Sequence, residues 1–132
     1  MRKRLKTLRL LVVDDDLSAL FESCKQIVKE IYGVELIIAT DANEALRKVN
    51  AISLDIIITD MKMNGDEFDG LWLIKEVKAS KPLIKIFAIT GYPEEYPASA
   101  VKAAGADGYF TKPTALRVLL DTVLKKDELG SS

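Results

Sequence analysis

Residues 8–16 read LRLLVVDDD, an apolar run that ends abruptly in three consecutive acids. A continuously apolar run of this length is typical of a strand that is covered on both faces, as in a parallel sheet. Three adjacent carboxylates raise one another's pKa and are unfavourable together unless a cation offsets their charge. The stretch therefore predicts a buried strand with a charged site at its carboxyl end.

Four more short apolar runs follow and alternate with segments of helical periodicity. This alternation, with short connections, predicts an α/β fold: a doubly wound sandwich in which helices cover both faces of a five-stranded parallel sheet. The predicted strands are residues 8–13, 34–39, 55–59, 84–90 and 108–110. The predicted helices lie near residues 20–31, 41–49, 70–79, 97–104 and 114–126.

Apolar residues in the first predicted helix recur at three- and four-residue spacing, which predicts one stripe that faces the core. Gly33 follows as the expected C-terminal stop. The single cysteine lies within this stripe, which favours a packing role over a reactive thiol. The predicted inward set is Leu20, Phe21, Cys24, Ile27, Val28 and Ile31.

Length and charge exclude several classes of protein. The 132 residues predict one domain, with a core at residues 8–126 and a tail at 127–132. The 19 basic and 20 acidic residues give a net charge of −1, which offers no general attraction for nucleic acid or an acidic membrane. No apolar stretch approaches the roughly 20 residues that span a bilayer. These features predict a cytoplasmic protein.

Polar residues follow the carboxyl ends of the predicted strands, where open α/β sheets bind their ligands. Asp14 and Asp15 follow the first strand, Asp60 the third, Thr90 ends the fourth, and Lys112 comes just after the fifth. If the first and third strands are neighbours, the acids converge on one rim of the sheet. Carboxylate oxygens are hard ligands of the kind that Mg²⁺ prefers.

Each residue type on this rim has a distinct chemical use. An aspartate carboxylate such as Asp60 can attack phosphorus and form an acyl phosphate. Lys112 could then hold one oxygen of the transferring phosphoryl group, and Thr90 could donate a hydrogen bond to another. The pattern predicts phosphoryl transfer to the protein itself.

Four motifs together resemble the response-regulator receiver domain of two-component signalling, the CheY-like family. The resemblance covers residues 8–126 and implies a flavodoxin-like (βα)5 fold with strand order 2-1-3-4-5. The motifs are LLVVDDD (10–16), DIIITDMKMNGDEFDG (55–70), IKIFAITG (84–91) and AGADGYFTKP (104–113).

The resemblance implies that Asp60 is the phosphoacceptor and that Mg²⁺ is the cofactor. The donor would be a sensor histidine kinase or a histidine phosphotransfer protein. The implied metal ligands are Asp14, Asp15, Asp60 and the backbone carbonyl of Lys62. Asp16, the third acid of the run, is expected to cap the first helix rather than to bind the metal.

The resemblance also implies a switch. Thr90 and Lys112 would contact the phosphoryl oxygens, and Tyr109 matches the aromatic that turns inward when the threonine moves. The bond between Lys112 and Pro113 is expected to be cis. Output would use the face formed by the fourth helix, fifth strand and fifth helix, which could also form a homodimer. Such a domain is a regulator with autophosphorylation and autodephosphorylation, with no direct nucleic-acid binding and no turnover enzyme activity.

The sequence departs from the family pattern in two places. After the phosphoacceptor, Asn64 replaces the usual proline and the loop is about two residues longer. Pro93 and Pro97 delay the start of the fourth helix to about residue 97. Tyr92 and Tyr96 in that stretch are expected to be exposed, either as partner contacts or as loop packing.

Two other functions compete with the switch. The Asp14-x-Asp16 spacing also resembles haloacid-dehalogenase-like phosphatases, but the chain lacks the inserted cap segment and the later acidic cluster of that family. An unphosphorylated pseudo-receiver that acts as a binding module is the second alternative. The complete set of acids, threonine and lysine argues against it.

Overall fold

The computed structural model describes residues 7–16, 18–63 and 67–131, without the side chains of Ser18, Leu20 and residues 126–131. Five strands and five helices alternate along this part of the chain. The strands are β1 (Leu8–Val13), β2 (Val34–Ala39), β3 (Ile56–Asp60), β4 (Lys85–Thr90) and β5 (Gly108–Thr111). The helices are α1 (Ser18–Tyr32), α2 (Ala42–Ala51), α3 (Gly70–Ser80), α4 (Ala98–Ala104) and α5 (Leu116–Ser131).

The strands form one parallel sheet in the order β2-β1-β3-β4-β5. This confirms the predicted doubly wound α/β fold and its strand order. β1 and β3 are neighbours, with Val13 opposite Thr59, so the residues that follow them meet at the same edge. The sheet therefore brings together side chains that lie 46 positions apart, Asp14 and Asp60.

Two apolar layers cover the two faces of the sheet. Leu11 and Val13 of β1 face a layer with α2, α3 and α4, while Leu10 and Val12 face a layer with α1 and α5. Because successive side chains of a strand point to opposite faces, a strand that is covered on both must be apolar throughout. The apolar run at residues 10–13 of β1 reflects this arrangement, while Arg9 near the start of the strand is exposed.

The described backbone corrects the boundaries of β3 and α5. β3 begins at Ile56 and includes Asp60, one position later than predicted. α5 begins at Leu116 rather than residue 114, because the hydroxyl of Thr114 donates to the carbonyl of Thr111 at 2.5 Å and holds a turn there. α5 also extends to Ser131, beyond the predicted end at residue 126. The helix starts at Asp41, Gly70 and Pro97 agree with the sequence within one residue.

The predicted stripe of α1 is too wide. Phe21 and Val28 are buried and Cys24 is partly buried, but Ile27 and Ile31 are 56% and 68% exposed. A helix on a flat sheet covers it along a narrow strip, and residues one position before that strip turn toward solvent. The side chain of Leu20 lies outside the described set. Gly33 ends the helix with φ of +67°, as predicted.

No helix in the described ranges is both long enough and apolar enough to cross a bilayer.

Candidate functional site

Three carboxylates converge at the carboxyl edge of the sheet. Asp14 directly follows β1, where its backbone N–H still donates to the carbonyl of Ala39 in β2 at 3.0 Å. Asp60 is the last residue of β3. One oxygen from each of Asp14, Asp15 and Asp60 lies within 4.8 Å of the other two. Adjacent parallel strands thus bring the predicted acids together.

Burial sets the electrostatics of this acidic cluster. Asp14 and Asp60 are 2% and 3% exposed, and Asp15 is partly exposed. The pKa of Asp60 is raised to about 6 in total: burial is the largest cause and the charge of Asp14 adds to the rise, while Lys112 and the N–H of Met61 oppose it. Burial and the charge of Asp16 also raise the pKa of Asp15. The cluster holds its negative charge at a cost in free energy, which a cation would relieve.

Lys112 supplies one cation to the cluster. Its Nζ lies 3.0 Å from Oδ2 of Asp14 and 3.1 Å from Oδ2 of Asp60. Burial alone would lower the pKa of Lys112, but the hydrogen bond to Asp14 and the charge of Asp60 outweigh it, so the pKa is raised. The lysine therefore stays charged at neutral pH. Its bond to Pro113 is cis, as the resemblance implied.

Thr90 lies beside Asp60 but does not present its hydroxyl to the open side of the site. It is fully buried at the end of β4, next to Ile89, which is opposite Asp60 in the register. Its Oγ1 accepts a hydrogen bond from the backbone N–H of Tyr92 at 2.9 Å. The predicted contact between this hydroxyl and a phosphoryl oxygen therefore requires a local rearrangement.

A cavity of about 520 Å³ opens above the cluster. Lys62, which lines the cavity, contacts two residues of another loop: its Nζ lies 3.0 Å from Oε1 of Glu95 and 4.4 Å from the centre of the Tyr92 ring. These contacts join the segment after β3 to the segment after β4. The residues that line the cavity are Asp15, Asp16, Asp60, Lys62, Gly91, Tyr92 and Lys112.

Tyr109 and Tyr96 occupy the neighbouring region of the site. Tyr109 in β5 is partly buried, and its hydroxyl donates to the carbonyl of Tyr96 at 2.7 Å. Tyr96 was predicted to be exposed, and that prediction was wrong. The residue is 9% exposed and its hydroxyl donates to Oδ2 of Asp69 at 2.9 Å, because it packs into the core layer that includes α3. Tyr92 is exposed, as predicted.

Sequence reasoning missed the structural role of two residues beside Asp60. Asp69 caps α3 by accepting from the N–H of Trp72 at 2.9 Å, and Gly70 lies against the backbone of Asp60. An acid followed by glycine at a helix start was the available signal for this cap. The backbone N–H of Asp16 donates to Oδ1 of Asp14, while its predicted capping of α1 involves residue 17, outside the described chain. Asn64 and residues 65–66 of the longer loop lie outside it as well.

The donor set fits a hard divalent cation. The three acids offer oxygen ligands within one small, partly buried space, and Mg²⁺ typically takes one or two carboxylates and keeps several waters. The adjoining cavity leaves room for water or an anionic group beside Asp60. Carboxylates, one lysine and an open side are together suited to phosphoryl chemistry.

Comparison with known sequences identifies a family. A family model described as the response regulator receiver domain matches residues 10–124. The alkaline phosphatase synthesis transcriptional regulatory protein PhoP of Bacillus subtilis is 29% identical over 126 residues. Those residues are 93% of this chain and 51% of PhoP, so the chain spans about half the length of that relative.

Comparison with solved structures agrees. A CheY-like receiver domain protein from Methanospirillum hungatei has a TM-score of 0.81 and 32% identity, over 93% of this chain and 95% of that one. The response regulator TrrA from Thermotoga maritima, solved in complex with Mg²⁺-BeF, has a TM-score of 0.73 and 32% identity. That match covers 89% of this chain and 97% of that one.

Proposed function

The chain belongs to the response regulator receiver domain family, and from this premise we propose that it is a phosphorylation-dependent switch with Asp60 as its phosphoacceptor. Receiver domains of response regulators are signalling regulators that interact with histidine kinases. The observation that carries the proposal is the convergence of Asp14, Asp15, Asp60 and Lys112 at one edge of the sheet. We treat residues 1–132 as a single receiver domain in the cytoplasm.

The proposed reaction is an attack by a carboxylate oxygen of Asp60 on the phosphorus of a phosphohistidine. An oxygen–phosphorus bond forms, the phosphorus–nitrogen bond to the donor breaks, and the imidazole leaves with the electron pair of that bond. The donor is a sensor histidine kinase or a histidine phosphotransfer protein. Since Asp60 has a pKa of about 6, its carboxylate is mostly ionised at neutral pH and can act as the nucleophile.

Each neighbour of Asp60 has a proposed task. Bound Mg²⁺ would supply positive charge to the phosphoryl oxygens, and the residues proposed to hold it are Asp14, Asp15, Asp60 and the backbone carbonyl of Lys62. Lys112 is now paired with Asp14 and Asp60 and would instead donate a hydrogen bond to a phosphoryl oxygen. Slow autodephosphorylation would reset the switch by hydrolysis of the acyl phosphate.

Thr90 and Tyr109 are the proposed switch residues. A phosphoryl group on Asp60 can bias the fold only if it makes better contacts in one arrangement than in another. The hydroxyl of Thr90 is now bound to the N–H of Tyr92, so a change of partner at Thr90 provides that difference. The proposed output face consists of α4, β5 and α5, which would bind a partner or a second copy of the chain.

Phosphorylation with a small donor tests the proposal. Intact mass after incubation with acetyl phosphate and Mg²⁺ should show one added phosphoryl group in the wild type and none in Asp60→Asn. Asp121→Asn, which removes an exposed carboxylate from α5, should be modified like the wild type. Modification of Asp60→Asn to the wild-type extent would refute the acceptor assignment.

The same assay separates the alternative functions. A wild-type chain that stays unmodified and unchanged by Mg²⁺ with beryllofluoride would be a pseudo-receiver that acts as a binding module. Steady release of inorganic phosphate from many phosphomonoesters would indicate a phosphatase.

A further inference from the structure

Tyr96 connects three elements around the site. It lies in the loop between β4 and α4 and is almost completely buried. Its hydroxyl donates to Asp69, the N-cap of α3, at 2.9 Å. Its carbonyl accepts from the hydroxyl of Tyr109 in β5 at 2.7 Å. One residue therefore joins the proposed switch aromatic to the start of α3.

The start of α3 is in turn fixed to the backbone beside the phosphoacceptor. Oδ1 of Asp69 accepts from the N–H of Trp72, and the N–H of Gly70 donates to the carbonyl of Met61 at 2.9 Å. A Cβ atom on Gly70 would overlap the carbonyl oxygen of Asp60. Because the two backbones approach this closely, α3 cannot shift without moving the segment after Asp60, and that segment cannot shift without moving α3.

The opposite end of the same loop is held at Thr90, whose hydroxyl accepts from the N–H of Tyr92. Thr90 does not line the cavity above Asp60. For its hydroxyl to reach a phosphoryl group on Asp60, the loop that begins at Gly91 must rearrange. The far end of that loop is anchored by the bond from Tyr96 to Asp69.

We propose that Tyr96 is a positioning residue whose bond to Asp69 opposes the rearrangement of the loop between β4 and α4 and thereby sets the switching threshold. This inference rests on the function proposed for Asp60. The bond stabilises the present arrangement of the loop relative to any arrangement in which Thr90 faces the acceptor. Breaking the bond increases the population of competent molecules, and the apparent affinity for a phosphoryl mimic increases by the same factor.

Titration of Tyr96→Phe with beryllofluoride in excess Mg²⁺ tests this prediction. The variant removes the hydroxyl and keeps the ring and the carbonyl that binds Tyr109. Binding is followed by the fluorescence of Trp72, the single tryptophan, and by the NMR signals of Thr90 and Tyr109. We expect the midpoint of the titration to fall about fivefold, which is typical of the coupling between two linked equilibria.

Asp69→Ser breaks the same bond from the other side. Serine can still cap α3, but its side chain is too short to reach Tyr96. It should lower the midpoint as much as Tyr96→Phe does, and the double variant should not lower it further, because both changes remove one interaction. Additive effects of the two changes, or a midpoint in Tyr96→Phe equal to that of the wild type, would overturn the inference.

Tyr32→Phe is the matched control, because it removes the hydroxyl of another tyrosine, in α1, whose pKa is raised by burial and by the charge of Asp121 in α5. It should leave the midpoint unchanged, and an equal decrease there would attribute the effect to general destabilisation and refute the proposal. Asp60→Asn should not respond in any background. A wild type that fails to bind beryllofluoride would reject the proposed function itself, and this inference with it.

Discussion

At the scale of single residues, the site balances burial against charge. The proposed attack of Asp60 on phosphorus requires its ionised form, yet its pKa is raised to about 6, with burial as the largest cause. Lys112 opposes that shift from 3.1 Å away and is itself held by Asp14. The result is a carboxylate that is ionised at neutral pH and that a further cation would stabilise. This is the physical reason to expect a metal beside a lysine that is already present.

Gly70 shows how closely the start of α3 approaches Asp60, the proposed acceptor. We expect Gly70→Ala to lower the free energy of unfolding by about 1–3 kcal/mol, the usual cost of overpacking. Alanine is a better helix former than glycine, so the loss would come from the overlap of its Cβ with the carbonyl oxygen of Asp60. Urea unfolding of the two proteins measures the difference.

Gly91→Ala is the matched control for that experiment. A Cβ atom there would lie 3.8 Å from Lys112, an ordinary contact, so its free energy of unfolding should stay within about 0.5 kcal/mol of the wild type. Equal losses in the two variants would show that the contact at Gly70 has no special weight.

At the scale of elements, α1 shows which structural features the spacing of apolar residues determines and which it does not. The three- and four-residue spacing correctly predicted a helix and its end at Gly33. It did not predict the width of the buried strip, because Ile27 and Ile31 extend the same apolar pattern and yet face solvent. Periodicity encodes the direction of a side chain, whereas coverage depends on which other element lies opposite.

The two neighbouring positions 27 and 28 allow a direct measurement of that strip. Val28→Ala should lower the free energy of unfolding by about 2 kcal/mol, because Val28 is 2% exposed and its truncation leaves a cavity. Ile27→Ala should change it by less than about 0.5 kcal/mol, because Ile27 is already half in water. Urea unfolding of both variants gives the comparison, and a larger loss at Ile27 than at Val28 would contradict the position of α1.

At the scale of the whole molecule, the burial of the Asp60 charge that forms the site lowers the stability of the folded chain at neutral pH. The pKa of Asp60 is higher in the folded chain than its ordinary value of 3.8, so the folded state binds its proton more tightly than the unfolded state does. The stability that this tighter proton binding adds to the folded state is fully present below about pH 4 and is lost as the pH rises through about 6. The shift in the pKa of Asp60 from 3.8 to about 6 corresponds to about 3 kcal/mol in the free energy of unfolding.

Without metal at pH 7.5, Asp60→Asn should therefore have a higher free energy of unfolding than the wild type, by about 1–3 kcal/mol. The reason is that asparagine is neutral and keeps one acceptor oxygen. At pH 4 the difference should largely vanish, since Asp60 is then protonated in the folded state. Urea unfolding in EDTA at both pH values tests the sign. A variant that is less stable than the wild type at pH 7.5 would show that the pairing of Asp60 with Lys112 outweighs the burial of its charge.

The sequence by itself determined the order of the strands and helices and the five polar residues at the strand ends. It could do so because strands that are covered on both faces must be apolar throughout, and because parallel strands place their carboxyl ends at one edge. The acids, Thr90 and Lys112 were predicted from these local patterns. The family resemblance then supplied the strand order that places β1 beside β3.

Only the tertiary structure decided which side chains are covered and which contacts hold the site together. Tyr96 looked like an exposed loop residue, but the loop folds back so that its hydroxyl reaches Asp69, 27 positions earlier. Gly70 looked like an ordinary helix start until α3 packed against the backbone of Asp60. A local pattern fixes the direction in which a side chain points, but the partner that it meets belongs to a distant segment, and long-range packing selects that partner.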